Sequence, residues 1–171
     1  AFLAVAAAAE LWRCWKTSAS RERILGGLAV ISSGVGIGIY LVWVRIAYGD
    51  LFLPLTLQSD PTRQGAARDP VSSLVDSAWD LISRDALVPG LHFPWGVFLI
   101  ALLVVMFMRM PVSYGLFSGG VLFLSLSASN LDSLERYAMA AFPFIIVAAM
   151  LTADQRTERV AMTVSAGALV A

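Results

Sequence analysis

The sequence has little charge, a single cysteine and a single histidine, and each shortage excludes a class of protein. Charged residues make up 14% of the 171 residues, whereas soluble domains have about 25%, and 58% of the residues are hydrophobic. Twelve basic and twelve acidic residues cancel, so no overall basic field attracts nucleic acid. The lone Cys14 rules out an internal disulfide framework and a cysteine-based metal site. A mean hydropathy of +0.77 is typical of a membrane protein.

The motifs of soluble enzymes are also missing. There is no phosphate loop of the Gly-x-x-x-x-Gly-Lys type, no pair of histidines for zinc, and no Gly-x-Ser-x-Gly elbow in a strand context. The glycines from Gly34 to Gly38 loosely resemble a nucleotide loop, but they lie inside a hydrophobic stretch with no strand before it. We therefore expect neither a metal ion nor a cofactor.

Long apolar runs dominate the chain and predict its fold. Four of them predict helices that cross a membrane, at residues 24–47, 94–108, 115–128 and 137–153. Gly34 and Gly38 form a Gly-x-x-x-Gly spacing, which would let another helix approach closely. Ordinary helix packing is the simpler explanation of these two glycines. Shorter apolar runs at the two ends of the chain indicate truncated spans. We expect an all-α polytopic bundle of four full and two truncated spans, with residues 1–171 forming part of one transmembrane domain.

The distribution of lysine and arginine predicts the orientation of these spans. Seven basic residues lie in the connectors at 13–23, 109 and 154–159, and four lie in the opposite loops, which also hold eight of the twelve acidic residues. Because basic residues concentrate on the cytoplasmic side, we expect the long loop at 48–93 on the non-cytoplasmic side.

The long loop contains one segment with helical periodicity. Apolar residues recur at helical spacing from Val71 to Ile82, while Asp76 lies on another face. N-cap chemistry at Asp69, or proline in the first turn, would begin this helix. We expect an amphipathic helix at the membrane interface, with Trp79 at headgroup depth.

Polar residues near the expected outer face of the membrane form the candidate site, because charges there are costly unless they pair or serve a function. For His92, an interfacial hydrogen bond is the simpler role and contact with a proton or a substrate is the functional one. The candidates are Arg45 with Asp50, Gln58 with Asp60, His92, and Arg136 with Glu135 and Tyr137.

Arg136 is the strongest candidate for a binding residue. The cytoplasmic excess of basic residues does not explain an arginine on the opposite side, and a planar guanidinium suits a phosphate group. An ion pair with Asp132, one helical turn earlier, or with Glu135 explains the residue equally well. The sequence leaves both interpretations open.

Two stretches of the chain resemble bacterial PIG-V-like mannosyltransferases. In residues 129–143, Arg136 and Tyr137 are followed by an apolar run to Phe-Pro, which is similar to a late transmembrane region of those proteins. Residues 43–50, followed by an apolar stretch and Gln58, resemble the exit of one of their membrane helices. The resemblance covers residues 41–152.

The resemblance implies a C-type glycosyltransferase of the bacterial plasma membrane. Such an enzyme transfers a sugar, here mannose, from a polyprenyl-phosphate donor to a glycan, glycolipid or protein acceptor on the non-cytoplasmic side. Arg136 and Tyr137 would bind the donor phosphate. The general base of these enzymes lies in an outer loop nearer the N-terminus, so no catalytic residue is expected in this chain. The loop residues that would contact the substrate are Arg45, Asp50, Gln58 and His92.

Two other functions fit the same composition. Half of a transporter or flippase would share the glycines and the spans, but would place ionisable residues near the membrane midplane at broken helices. None of the four predicted spans carries a charge in its middle. A non-catalytic membrane subunit is the third function. An acidic residue soon after the first span of the whole protein would favour the transferase.

Overall fold

The computed structural model describes residues 2–58, 67–83, 90–128, 131 and 134–170. Within these ranges every regular element is an α-helix and no strand forms, which confirms the all-α prediction. The helices, in chain order, are α1 (Phe2–Cys14), α2 (Ser20–Tyr48), α3 (Leu53–Gln58), α4 (Pro70–Ser83), α5 (His92–Arg109), α6 (Val112–Leu126), α7 (Leu134–Met139), α8 (Pro143–Leu151) and α9 (Gln155–Val170).

A hairpin of α5 and α6 forms the centre of the fold. The two helices are joined by only two residues, and Pro111 occupies the position just before α6. Gly115 allows the helices to lie close together, because any Cβ there would collide with the ring of Phe107. The core of this hairpin extends into α7 and α8, and its fully buried side chains include Leu99, Met106, Leu134, Phe144 and Val147.

The first helix packs on one side of the hairpin, and the second helix packs on the first. α1 packs along α6, and the Ser113 hydroxyl at the start of α6 donates a 3.1 Å hydrogen bond to the Glu10 carboxylate near the end of α1. α2 packs against α1, where Gly26 leaves room for Leu11. We call the meeting point of these helices the basic end, after Arg13, Lys16, Arg21, Arg23 and Arg109.

The opposite end of the hairpin is covered by α4, whose existence confirms the helix predicted from Val71 to Ile82. α4 packs on both α5 and α6. Gly90 permits a close approach of the two backbones, because a Cβ there would lie 2.7 Å from the backbone nitrogen and Cα of Leu81. The Ser73 hydroxyl lies 3.5 Å from the Ala128 carbonyl oxygen, just beyond the last turn of α6. We call this region the α4 end.

Among the residues that the structure describes, two helices are long and apolar enough to cross a membrane. They are α2, with 29 residues, and α5, with 18 residues, and they coincide with the first two predicted spans. α6 is apolar but has only 15 residues, fewer than the 18 of α5. The predicted count of four full spans is therefore not confirmed by the helices that the structure describes.

The fourth predicted span, at 137–153, is not one continuous helix. α7 begins before it, at Leu134, and ends at Met139, and α8 begins at Pro143 after a turn at residues 140–142. Proline explains the break, because its ring lacks an N–H for the helical hydrogen bond and clashes with the carbonyl group four residues earlier, at Met139. The prediction of a single uninterrupted helix here was wrong.

Candidate functional site

Arg136 and Tyr137 lie together on the surface of α7, near the α4 end. The guanidinium carbon of Arg136 is 5.3 Å from the centroid of the Tyr137 ring, within the range of a cation–π interaction. Both side chains are exposed, Tyr137 at 38%. Their neighbours Leu134 and Ala138 are buried in the core, so α7 is anchored by its apolar face and presents Arg136 outward.

The acidic partners predicted for Arg136 cannot be placed beside it. Asp132 lies outside the described residues, and only the backbone of Glu135 is described. The choice between an ion pair and a phosphate ligand therefore stays a prediction. A guanidinium beside an aromatic ring is compatible with either role, because arginine can pair with a carboxylate or a phosphate while it contacts a ring.

Arg45 and Asp50 are used locally at the end of α2. The Arg45 guanidinium donates a hydrogen bond to the Gly49 carbonyl oxygen, and Gly49 ends the helix with a positive φ of 79°. The Asp50 carboxylate accepts a 2.9 Å hydrogen bond from the Phe52 backbone N–H. Both hydrogen bonds stabilise the turn that follows α2. These two charged residues therefore have a structural role, in addition to any contact with a substrate.

The other two loop candidates sit on different elements. His92 is the first residue of α5, and its side chain is 7% exposed, so it lies inside the α4 end rather than on an open loop. Gln58 is the last residue of α3, and its side chain lies outside the described set, as does the whole of Asp60. The predicted substrate-loop residues thus lie in α2, in the turn that follows it, in α3 and in α5.

The start of α4 is fixed by Asp69, as the sequence predicts. Its carboxylate accepts a 2.8 Å hydrogen bond from the Ser72 backbone N–H and a 3.1 Å hydrogen bond from the Ser72 hydroxyl. These two hydrogen bonds hold the pKa of Asp69 below its usual value, and the bond from the Ser72 backbone N–H has the larger effect. Arg68 and Asp76 form an ion pair at 2.5 Å across the first turns of α4.

The exposed tryptophans form a pattern that sequence reasoning missed except at Trp79, which was predicted at headgroup depth. All five tryptophans are exposed, from 41% for Trp95 to 86% for Trp12. Trp12 and Trp15 lie at the basic end, with the Arg23 guanidinium 5.4 Å from the Trp15 ring. The other three lie in the last turns of α2, in α4 and in the first turn of α5, at Trp43, Trp79 and Trp95.

Tryptophan is largely buried in soluble proteins, and in membrane proteins it collects at the two membrane–water boundaries. The two groups of tryptophans are therefore arranged as such belts would be. Tyr40 and Tyr48 extend the group on α2, since both rings lie within about 6 Å of Trp43, at 6.1 and 5.9 Å between centroids. The signal was present in the sequence, because each tryptophan lies near the end of an apolar run or in the amphipathic segment.

No cluster of three or more metal-ligating side chains exists among the residues that the structure describes. The chain matches no protein-family model, no curated protein and no solved structure.

Proposed function

We propose that this chain is the membrane-embedded part of a glycosyltransferase that takes a sugar from a polyprenyl-phosphate donor on the non-cytoplasmic side. The observation that carries the proposal is the exposed Arg136 guanidinium over the Tyr137 ring. These two residues lie in the stretch that resembles PIG-V-like mannosyltransferases and at the end of the fold that carries the long loop.

The membrane location is supported by the two long apolar helices and by the exposure of every tryptophan. α2 makes its main contact with α1 alone, and its exposed residues are mostly apolar. Such a helix is costly in water, since each exposed leucine or isoleucine forgoes about 1.5–3 kcal/mol of burial. In hydrocarbon the same surface is favourable.

The chemistry assigned to Arg136 is stabilisation of charge on the leaving phosphate. When an acceptor hydroxyl attacks the anomeric carbon, the bond from that carbon to the lipid phosphate oxygen breaks and the phosphate leaves with the electron pair. The hydroxyl proton passes to the general base, which the resemblance places in an outer loop nearer the N-terminus. A fixed cation near that oxygen lowers the barrier, because the charge develops in the transition state. Arginine suits this task since it stays protonated and offers two parallel N–H donors.

The proposal is tested by replacing Arg136 in the protein expressed in full. Arg136→Lys keeps the charge but loses the two-pronged donor, and Arg136→Met keeps much of the bulk without the charge. We expect transfer from polyprenyl-phosphate mannose to fall about tenfold for lysine and about a hundredfold or more for methionine, as for other charge-stabilising groups. Arg156→Met is the matched control, because Arg156 is also an exposed helical arginine but lies in α9.

A structural role for Arg136 gives a different result. If the arginine serves an ion pair with Asp132, then Asp132→Asn should reproduce the loss, and both variants should lower the stability of the protein. Normal transfer by a stable Arg136→Met protein would remove this residue from the site.

A transporter or flippase is the second candidate, and the break between α7 and α8 favours it. Transporters often bind their substrates at interrupted helices. Here the interruption at residues 140–142 consists of Ala140, Ala141 and Phe142, without an ionisable side chain. Transfer of a labelled lipid-linked sugar between the leaflets of protein-containing vesicles, without formation of a glycosidic bond, would favour this function over the transferase.

A further inference from the structure

α4 is packed with its small polar side chains inward and its large apolar side chains outward. Ser73 and Ser77 are each 4% exposed, and the Ser77 hydroxyl donates a 3.0 Å hydrogen bond to the Ser73 carbonyl oxygen. In contrast, Val71, Val75 and Ile82 are 60–74% exposed. A surface helix in water has the opposite arrangement.

The outward side chains form one continuous surface. At 100° per residue, Val71, Val75 and Ile82 lie within about 40° of one another on the helix, and Trp79 borders them. We call this set of four residues the outer face of α4. Leu74 points away from the outer face and packs against Gly96 of α5. The outer face is therefore turned away from the helices against which α4 is held.

The charges of α4 show what kind of surface could cover the outer face. The helix contains no lysine or arginine, and its acidic residues, Asp76 and Asp80, lie outside the outer face. The nearest basic residue before the helix is Arg68, and it is already paired with Asp76. An apolar face with no basic residue favours contact with acyl chains, and gives no attraction to anionic headgroups or to an acidic partner.

The neighbouring helix also exposes large apolar side chains. α4 packs on α5, which is one of the two helices able to cross a membrane, and Trp95 and Phe98 near the start of α5 are exposed and in edge-to-face contact at 5.6 Å. If lipid surrounds α5, the same lipid reaches α4. An exposed tryptophan on each helix places both at the boundary between headgroups and acyl chains.

We propose that the outer face of α4 docks into the lipid of the non-cytoplasmic leaflet, with Val71, Val75 and Ile82 among the acyl chains and Trp79 at the headgroups. The proposal rests on the membrane location proposed above. It assigns α4 as an interfacial anchor that holds the loop at 48–93 against the bilayer, through apolar contact rather than charge.

The test uses spin labels at single cysteines in a Cys14→Ala background. The protein is reconstituted in vesicles of phosphatidylcholine and phosphatidylglycerol, and a nitroxide is attached at Val75→Cys or Ile82→Cys. Ser83→Cys is the matched control on the exposed polar side of the same helix. Ile39→Cys on α2, at 66% exposure, is the reference for a side chain facing lipid. The measurement is the collision rate with oxygen, which concentrates in lipid, and with a water-soluble nickel complex.

We expect labels at 75 and 82 to resemble the label at 39, with an oxygen-to-nickel ratio several-fold above that at 83. The ratio should not change with salt concentration, because no charge attraction is involved. Nickel access at 75 and 82 equal to that at 83 would place the outer face in water and overturn the proposal. Labels shielded from both reagents would show that protein covers the face, and would also overturn it. A label at 39 that is open to nickel would instead refute the membrane location itself.

Discussion

Replacing Gly90 with alanine tests the contact that holds α4 to the hairpin. A Cβ at this position would lie 2.7 Å from both the Cα and the backbone nitrogen of Leu81, whereas ordinary contact begins at 3.4 Å. One of the two backbones must therefore move by about 0.7 Å, and no side-chain rotation can relieve the clash. Overpacking of this kind costs about 1–3 kcal/mol, so Gly90→Ala should lower the free energy of unfolding by that amount.

Two other glycines provide graded controls. In Gly96→Ala the tight contact, at 2.5 Å, is with the flexible end of the Leu74 side chain, so this variant should cost less than Gly90→Ala. Gly34→Ala on α2 has no atom within 4 Å and should gain up to about 1 kcal/mol, because alanine is the better helix former. The three variants are compared by denaturation in detergent micelles, monitored by circular dichroism. Equal stability of the Gly90 and Gly34 variants would refute the close packing of α4 on the hairpin.

Three further predictions concern the core, the cap and the ion pair. Leu99→Ala should destabilise the protein by about 2–3 kcal/mol, since the residue is fully buried. Ile100→Ala should cost much less, because this residue is 39% exposed. Equal unfolding midpoints for the two variants would contradict this prediction. Folding lowers the pKa of Asp69 below its ordinary value of 3.8. The stabilisation that this carboxylate gives to the start of α4 is therefore complete above pH 3.8, and is lost as the pH falls through the lower pKa of the folded protein. Hydrogen exchange in the first turn of α4 should accelerate in that acid range relative to its intrinsic rate, whereas Asp69→Asn, which still caps, should show no such change. Arg68→Gln should change the free energy of unfolding by less than about 1 kcal/mol, because both side chains of the ion pair with Asp76 are about half exposed. A larger loss of stability would indicate a further role for Arg68.

The sequence was sufficient to predict the helices whose signal is local. α2 and α5 follow from long apolar runs, and α4 follows from its apolar spacing and from the capping chemistry of Asp69. The orientation of α4 was not predictable in the same way. Lipid and protein core are both apolar, so periodicity alone does not reveal which side of a helix meets protein. Only the structure shows that Ser73 and Ser77 face inward.

The break at residues 140–142 and the candidate site show a second limit. Pro143 was visible, but a proline inside an apolar run is tolerated in some membrane helices and ends others, depending on tertiary neighbours. The pairing of Arg136 with the Tyr137 ring also depends on side-chain conformation rather than on spacing. The local hydrogen bonds of Arg45 and Asp50 were not predicted, although Gly49, which lies between them and ends α2, was visible in the sequence.

The central claim, that the chain crosses a membrane with residues 48–93 on the non-cytoplasmic side, is tested most directly by cysteine labelling. In a Cys14→Ala background, Ser83→Cys lies at the α4 end and Ser20→Cys lies at the basic end, and both positions are exposed. A membrane-impermeant thiol reagent applied to intact cells should label position 83, and should label position 20 only after the membrane is opened. Labelling of both positions in intact cells, or of position 20 alone, would contradict the account.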